Sequence, residues 1–306
     1  MTNLGNLISA ARRRPRIGVE ILPSEIRIAE VVGVAGDWRL ACSGVMGRLD
    51  AGDVLDETDA RRLESLLFRR GARGTEVVVS APAESLVHAT MNMPPASSDA
   101  PFAKLARAEL ERLRKLEQTP FEFSAWSLPA TGSRHEMMVI GCKTEPADAL
   151  AGVLELAGLR VAGMDDPTRA MARAVHGEAA GGDAFRVIVC VEADACVLAV
   201  HRGGVQTYAR ALPELRLRDH GRSLSVLGTA IAEEVRACVG FERHRCRSSA
   251  DFVTVLCGVG GTLPTLRAVV GEALAIDVRP FAAPDGGEVD ARFAGAIGLA
   301  LLEDAA

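Results

Sequence analysis

The segment "RIGVEILPSEIRIAEV" (Arg16 to Val31) can be laid over "RVIVCVEADACVLAV" (Arg186 to Val200). Each has a short apolar strand, a polar pinch and a second apolar strand, the pattern of a tight hairpin between strands. The match continues beyond each hairpin. A third strand comes next, "DWRLACSGVMGRL" in the first half and "GVQTYARAL" in the second. An amphipathic helix succeeds it. In "ETDARRLESLLFRRG" the stripe is Leu63, Leu66 and Leu67, with Gly71 placed to cap the C-terminus. In "GRSLSVLGTAIAEEVRACVGFERHR" it is Leu224, Leu227, Ile231, Val235 and Cys238. Each half returns to a buried strand, "TEVVVSAP" or "DFVTVLCG". A β-β-β-α-β order occurring twice predicts two similar α/β lobes with mixed sheets and a cleft between them.

The first half carries an insertion. From about Ala83 to Gly163 the pattern is βαββα: strand "SLVHATMNM", helix "APFAKLARAELERLRKLEQ", strands "FEFSAWSLP" and "HEMMVIGCK", helix "EPADALAGVLELAG". That is enough chain for a subdomain of its own. "LRVAGMDDPTRAMARAV" then returns to the first lobe, and "HGEAAGGDAF" reads as a linker. The expected division is a first lobe over 1–82, completed by 164–182, the insertion over 83–163, and a shortened second lobe over 183–306. Near the end, "FAAPDGGEVD" reads as a loop before a small-residue-rich helix, "ARFAGAIGLALLE".

Composition narrows the class. With 306 residues, 48% hydrophobic and 25% charged, the chain is globular, not disordered or membrane-spanning. A net charge of -5 gives no sign of a nucleic-acid surface. Seven cysteines in apolar segments suit buried thiols in a reducing cytosol, and their spacings match no zinc pattern. The N-terminal "MTNLGNLISAARRRPR" places Leu4, Leu7, Ile8 and Ala11 on one helical face before an arginine run. A solvated arm and a weak contact with acidic lipids are both open for it.

These features together resemble the actin-like ATPase superfamily, and within it the PilM family of type IV pilus assembly. The resemblance rests on the first hairpin, on "NMPPASS", "AELERLRKLEQTPFEF" and "AWSLP", on the return "ELAGLRVAGMDDPTRAMARAV", on "GVQTYARALP", on "VLCGVGGTLPTLRAVVGEAL" and on "FAGAIGLALLE". The order and spacing of these motifs carry it, from about Arg16 onward. It implies an actin-like fold, duplicated from a ribonuclease H-like unit, with two lobes and an inserted βαββα subdomain. The related division protein FtsA has a comparable insertion but is usually longer, with a membrane helix at its end. This chain stops soon after "LALLEDAA", which favours the PilM pattern.

The resemblance also implies where a nucleotide would sit. In the superfamily an Asp in each hairpin holds magnesium through water, and a Gly two residues on lets backbone N–H groups reach phosphate. Here Glu20 replaces the first Asp, Leu22 the Gly, and Pro23 removes a donor, while Ser24 keeps a hydroxyl. In the second hairpin Cys190 takes the Asp position and Glu192 the Gly position, where a carboxylate would face phosphate oxygens of like charge, with Asp194 beyond it. The adenosine-side loop "GVGGT" keeps Gly258, Gly260 and Gly261. Those glycines serve a nucleotide or simply turn a strand into a helix, and both readings stay open. The stretch "ALPELRLRDHGRSLSV" runs almost straight into the long helix, which shortens one wall of the usual adenine pocket.

Other candidates are weaker. Glu192, Asp194 and Glu20 would make an oxygen-ligand metal site only if brought together; solvated hairpin tips are the plainer reading. Asp165 and Asp166 stand where a helix begins and suit its N-terminus. In the helix "AKLARAELERLRKLEQ", Leu105, Leu110, Leu113 and Leu116 are expected mostly to pack inward. The resemblance therefore implies a cytoplasmic structural adaptor, peripheral to the inner membrane. Its partner would be a PilN-like membrane protein, whose N-terminal cytoplasmic peptide meets the insertion. Membrane contact would be indirect, no nucleic acid is involved, and a homo-oligomer is open. No catalytic residue, resident metal or cofactor is expected, with the seven residues Glu20, Ser24, Glu192, Asp194, Gly258, Gly260 and Gly261 a vestigial or weak nucleotide site. The alternative is an actin-like ATPase or small-molecule kinase using Mg-ATP.

Overall fold

The computed structural model describes residues 16–50, 55–82, 85–94, 100–114, 119–129, 135–175, 184–203, 205–220, 223–258 and 262–302. The N-terminal arm, most of the "HGEAAGGDAF" linker, Gly260 and Gly261 lie outside them. By internal contacts the chain divides into two units: residues 1–80, 151–178 and 282–306 form one, residues 81–150 and 179–281 the other.

The first unit is built on a five-stranded sheet of order β3-β2-β1-β4-β8. Its strands are β1 (Arg16–Ile21), β2 (Glu25–Val34), β3 (Asp37–Gly47), β4 (Glu76–Ser80) and β8 (Arg160–Asp165). The first three run antiparallel, and β4 and β8 add in parallel. Parallel addition needs a crossover, and helix α1 (Glu57–Arg70) supplies it between β3 and β4. Asp56 caps α1 by accepting the Asp59 N–H at 2.6 Å, and Gly71 ends it in the left-handed region at φ 72°. Leu63, Leu66 and Leu67 are buried, so the expected stripe is the packing face.

The closing helix α7 (Ala294–Ala300) also packs in this unit, against β1, β4 and α4 (Pro167–Val175). Glycines permit that approach. A Cβ on Gly18 would stand 1.8 Å from the Ala296 carbonyl oxygen, and one on Gly298 would stand 1.7 Å from that of Ala170. The sequence reading extended the second lobe to residue 306, so this end of the chain is reassigned: 282–306 belong to the first unit.

The second unit holds two sheets. The larger repeats the first unit's topology, β11-β10-β9-β12-β13. Its strands are β9 (Phe185–Val191), β10 (Cys196–Arg202), β11 (Val205–Ala211), β12 (Phe252–Gly258) and β13 (Val278–Pro280). Again three are antiparallel and two add in parallel, and helix α5 (Leu224–Cys246) makes the crossover. Helix α6 (Leu263–Leu274) joins β12 to β13, a three-residue strand absent from the sequence reading.

The insertion has the expected content: β5 (Leu86–Met93), α2 (Phe102–Arg114), β6 (Phe121–Ser127), β7 (His135–Lys143) and α3 (Thr144–Leu156). Its antiparallel sheet has the order β5-β7-β6. Ala89, Met91, Met93, Ala106, Leu110, Phe121 and Val139 form its core. Leu105 departs from the inward stripe and is 38% exposed, while the side chains of Leu113 and Leu116 lie outside the described residues. The unit boundary falls within α3, at 150/151.

Two links tie the insertion to the larger sheet of its own unit. The Trp126 indole N–H donates to the Gln206 carbonyl at 3.0 Å. Arg245 on α5 reaches Glu136 on β7 at 2.5 Å and also pairs with Glu242, whose side chain is fully buried, at 2.7 Å. Burial pulls the Arg245 pKa down, but the hydrogen bonds and charge of Glu242, with Glu136, outweigh it, and the net direction is up.

Candidate functional site

Both hairpins fold as the repeat demands, and in each an arginine from the same unit meets a carboxylate. Glu20 lies opposite Arg27 in the β1–β2 register, and both are nearly fully buried. Arg27 Nη1 stands 3.9 Å from Glu20 Oε2 and donates to the Arg292 carbonyl at 2.9 Å, while Nε donates to Glu25 at 2.6 Å. Alternation along β1 turns Glu20 to the same face as Gly18, the face that α7 covers. There its carboxylate occupies the space beside Gly295, where a Cβ would come within 2.1 Å of Oε1. The expected magnesium position is thus a buried ion pair beneath a helix.

The tip of this hairpin is likewise engaged. The Leu22 N–H donates to the Glu25 carbonyl at 2.9 Å. Arg48 donates its backbone N–H to the Ser24 carbonyl at 2.9 Å and Nη1 to the Leu22 carbonyl at 3.2 Å. Ser24 is exposed, and Ile21 donates its N–H to Ser80 Oγ at 2.9 Å.

The second hairpin is strapped by the segment that comes after β11. The Leu217 N–H donates to the Glu192 carbonyl at 3.0 Å, and the Arg218 N–H to the Ala193 carbonyl at 3.1 Å. The Arg218 side chain pairs with Asp194 at 2.6 Å. Glu192 is 5% exposed; its N–H bonds the Ala195 carbonyl at 2.7 Å, and Oε1 accepts from Cys190 Sγ at 3.3 Å. The substitution of Cys for Asp and Glu for Gly is therefore paired, since the thiol donates to the new carboxylate. Beside it, burial pushes the Cys196 thiol up to about 12. The shortened connection after β11 has a structural use here: Leu217–His220, one helical turn, is what reaches the hairpin.

Gly258 ends β12 at φ 110°, and a Cβ there would stand 2.1 Å from the Val191 carbonyl oxygen. This glycine is required for the close approach of β12 to β9, in line with the plainer of its two readings. Asp166 opens α4 by accepting the Thr168 N–H at 2.8 Å, and Asp165 pairs with Arg173 at 2.6 Å. Among the described residues no group of three or more His, Cys, Asp or Glu is arranged to hold a metal ion. At the two tips Glu20 and Asp194 are met by arginines and Glu192 by the Cys190 thiol, with the Leu22 and Glu192 N–H groups spent inside the hairpins. Such tips fit a nucleotide phosphate poorly. Sequence reasoning reached Glu20, Glu192 and Asp194 but not Arg27 and Arg218, the counter-ions of Glu20 and Asp194. Only the cross-strand register reveals the first, and no spacing signals the second.

No family model matches the sequence, and comparison with curated proteins found no match. Solved structures do match. A chain of the PilM–PilN type IV pilus biogenesis complex is similar over 94% of this chain and 98% of its own, at 18% identity and a TM-score of 0.73. The chain has the actin-like fold. Two other structures are similar: the ethanolamine utilization protein EutJ from Carboxydothermus hydrogenoformans and the inorganic polyphosphate/ATP-glucomannokinase from Arthrobacter sp. strain KM. EutJ is 13% identical, with a TM-score of 0.55, over 94% of this chain and 90% of its own. The glucomannokinase is 13% identical, with a TM-score of 0.50, over 94% and 98%. At such identities the shared property is the actin-like architecture, and the chemistry has to be argued from this chain's own residues.

Proposed function

We propose that this chain is a structural adaptor in the inner-membrane assembly platform of a type IV pilus or a related envelope machine. Its partner would be a PilN-like membrane protein, held by that protein's N-terminal cytoplasmic tail, and nucleotide turnover would be weak or absent. The observation that carries the reading is the near full-length likeness to the chain of the PilM–PilN complex. The arginine-matched hairpins support the second half of it. Within the insertion, β5 pairs only with β7 among the described strands, so one edge of the sheet is open to an extended peptide. Leu105 on the neighbouring helix α2 offers exposed apolar surface beside it.

No helix among the described residues is long and apolar enough to cross a membrane. On this reading the chain reaches the membrane through its partner and works at the cytoplasmic side. Whether it self-associates is a matter for sedimentation. The test is a titration of the intact protein with the synthetic N-terminal peptide of the partner, combined with hydrogen-exchange footprinting. Protection on β5 and α2 is expected. Binding whose footprint spares 83–163, or no binding, would sink the adaptor reading. A parallel calorimetric titration with Mg-ATP decides the alternative: micromolar binding with turnover would make the protein an ATPase or kinase.

A further inference from the structure

Outside the insertion, one surface of the first unit stands apart from its surroundings: helix α1 overhangs the edge strand β3. Phe68 on α1 is 86% exposed, a large apolar side chain left at the surface. With Met46 of β3 and with Arg62, Glu64, Ser65 and Arg69 it lines a groove of about 440 Å³, a volume within the range of ligand-binding clefts. The geometry of the groove comes from the fold. The Arg70 side chain at the end of α1 reaches back over β3, where a Cβ on Gly44 would stand 3.2 Å from its Nε. The helix thus forms one wall, and β3, at the end of its sheet, forms the other.

The charge at this place is opposite to that of the whole protein. Residues 57–73 carry the arginines Arg61, Arg62, Arg69, Arg70 and Arg73 against Glu57, Asp59 and Glu64, in a chain of net charge -5. Arg61 and Arg62 are matched by Glu57 and Asp59, so the positive excess falls on the C-terminal end of α1, beside Phe68. The edge of β3, which pairs with no second strand among the described residues, supplies backbone donors and acceptors, an exposed aromatic supplies an apolar contact, and the arginines select carboxylates.

We infer that this groove is a second docking site, for an extended segment of a partner protein that adds to the edge of β3. Its occupant carries an apolar anchor that covers Phe68 and Met46, with Asp or Glu residues placed to meet Arg69 and Arg70. The groove is lined from α1 and β3 of the first unit, so the inference stands on residues that the adaptor reading does not use.

The experiment is a selection of random 12-residue peptides displayed on phage against the intact protein, with counter-selection on Phe68→Asp and Arg69→Glu. Both positions are exposed, and unchanged melting of each variant shows that the fold is kept. The expected result is enrichment of peptides that pair an apolar residue with two or more carboxylates. Synthetic copies should bind at least tenfold more weakly to either variant, and several-fold more weakly when salt rises from about 50 to 300 mM. Enrichment of basic or charge-free peptides, or equal binding to wild type and variants, overturns the inference. So does a selection that enriches nothing. Sedimentation with phosphatidylserine vesicles is the remaining arm. Vesicle binding that Phe68→Asp abolishes, without acidic-peptide binding, would make the surface a lipid contact and overturn the peptide site.

Discussion

Replacing Arg245 by Met should loosen the insertion from the sheet beside it, and the structure sets the size of the effect. Arg245 is 14% exposed at its side chain, as is Glu136, and Glu242 is wholly enclosed. The substitution leaves the Glu242 carboxylate buried without the guanidinium that contacts both of its oxygens, at 2.9 and 2.7 Å. Breaking such a pair from one side costs about 3–5 kcal/mol, mostly the cost of the stranded charge. In the exchange regime where opening is pre-equilibrated, that loss speeds amide exchange in α5 and β7 by about 150- to 5,000-fold. The assay is hydrogen exchange read by mass spectrometry, comparing α5 and β7 with β1 and β4 of the first unit. The double variant Arg245→Met with Glu242→Leu removes the stranded Glu242 charge but not the lost link to Glu136, so it should recover protection on α5 more than on β7. If Arg245→Met changes exchange on β7 less than about threefold, the network does not anchor the insertion. If the double variant is as loose as the single one, the cost comes from lost packing and not from a stranded charge.

Gly18→Ala should lower the melting temperature by several degrees, since its Cβ would stand 1.8 Å from the Ala296 carbonyl oxygen and 2.7 Å from the Ala300 nitrogen. Overpacking of this kind costs about 1–3 kcal/mol or more, and an unchanged melting curve would mean that α7 does not rest on β1 as described. Native thiol labelling at pH 8 should modify Cys142 first and Cys42 later. Those two are only partly enclosed and the other five are buried, while burial and the Glu30 charge raise the Cys42 thiol. Rapid labelling of Cys196 in the native protein would contradict its pKa of about 12. Asp290 gives a pH signature. Burial opposes its charged form, but the hydrogen bonds to Arg292 prevail, so its folded pKa lies below the ordinary 3.8. A depressed carboxylate contributes stability that is full above its unfolded pKa and disappears as pH falls through the folded one. Asp290→Asn should therefore lower the melting temperature at pH 7, with the gap closing below pH 3.8; a gap that persists in acid would exclude the ionic explanation.

The duplicated strand order was legible because apolar runs and pinches recur in the same sequence at the same spacing. The insertion was legible for the same reason. β13 was not: it has three residues, and only Val278 is buried. The place of the last helix was half legible. Its small residues announce close packing, but nothing in "FAGAIGLALLE" says that β1 is the surface it packs on, and Gly18 looks like any strand glycine. The hairpin residues were found by position, and their like-charge conflict with phosphate was argued from residue type. Their counter-ions were not found, because Arg27 meets Glu20 only through the strand register and Arg218 is 24 residues from Asp194; the Arg245–Glu136 link, 109 residues apart, was missed likewise. Distances of that kind are set by tertiary packing, which leaves no local period to read.

On the proposed reading the two hairpins differ from a phosphate-binding pattern by different residues, and in each an arginine meets a carboxylate. In the first, Arg27 sits across the strand from Glu20, so the cation is built into the hairpin's own register. In the second, Arg218 comes from a connection short enough to fold back on the tip. A carboxylate that keeps a magnesium ion must stay hydrated on one side and can be recharged by each new nucleotide. One that keeps an arginine is neutralised permanently by its own chain. A protein that binds nucleotide gains stability by mass action, about 2.7 kcal/mol at a hundredfold excess over Kd, and loses it on release. That gain and loss is what lets a nucleotide bias two conformations. On the proposed reading these pairs form without a nucleotide, and a docking surface held on such a frame is presented without waiting for a ligand.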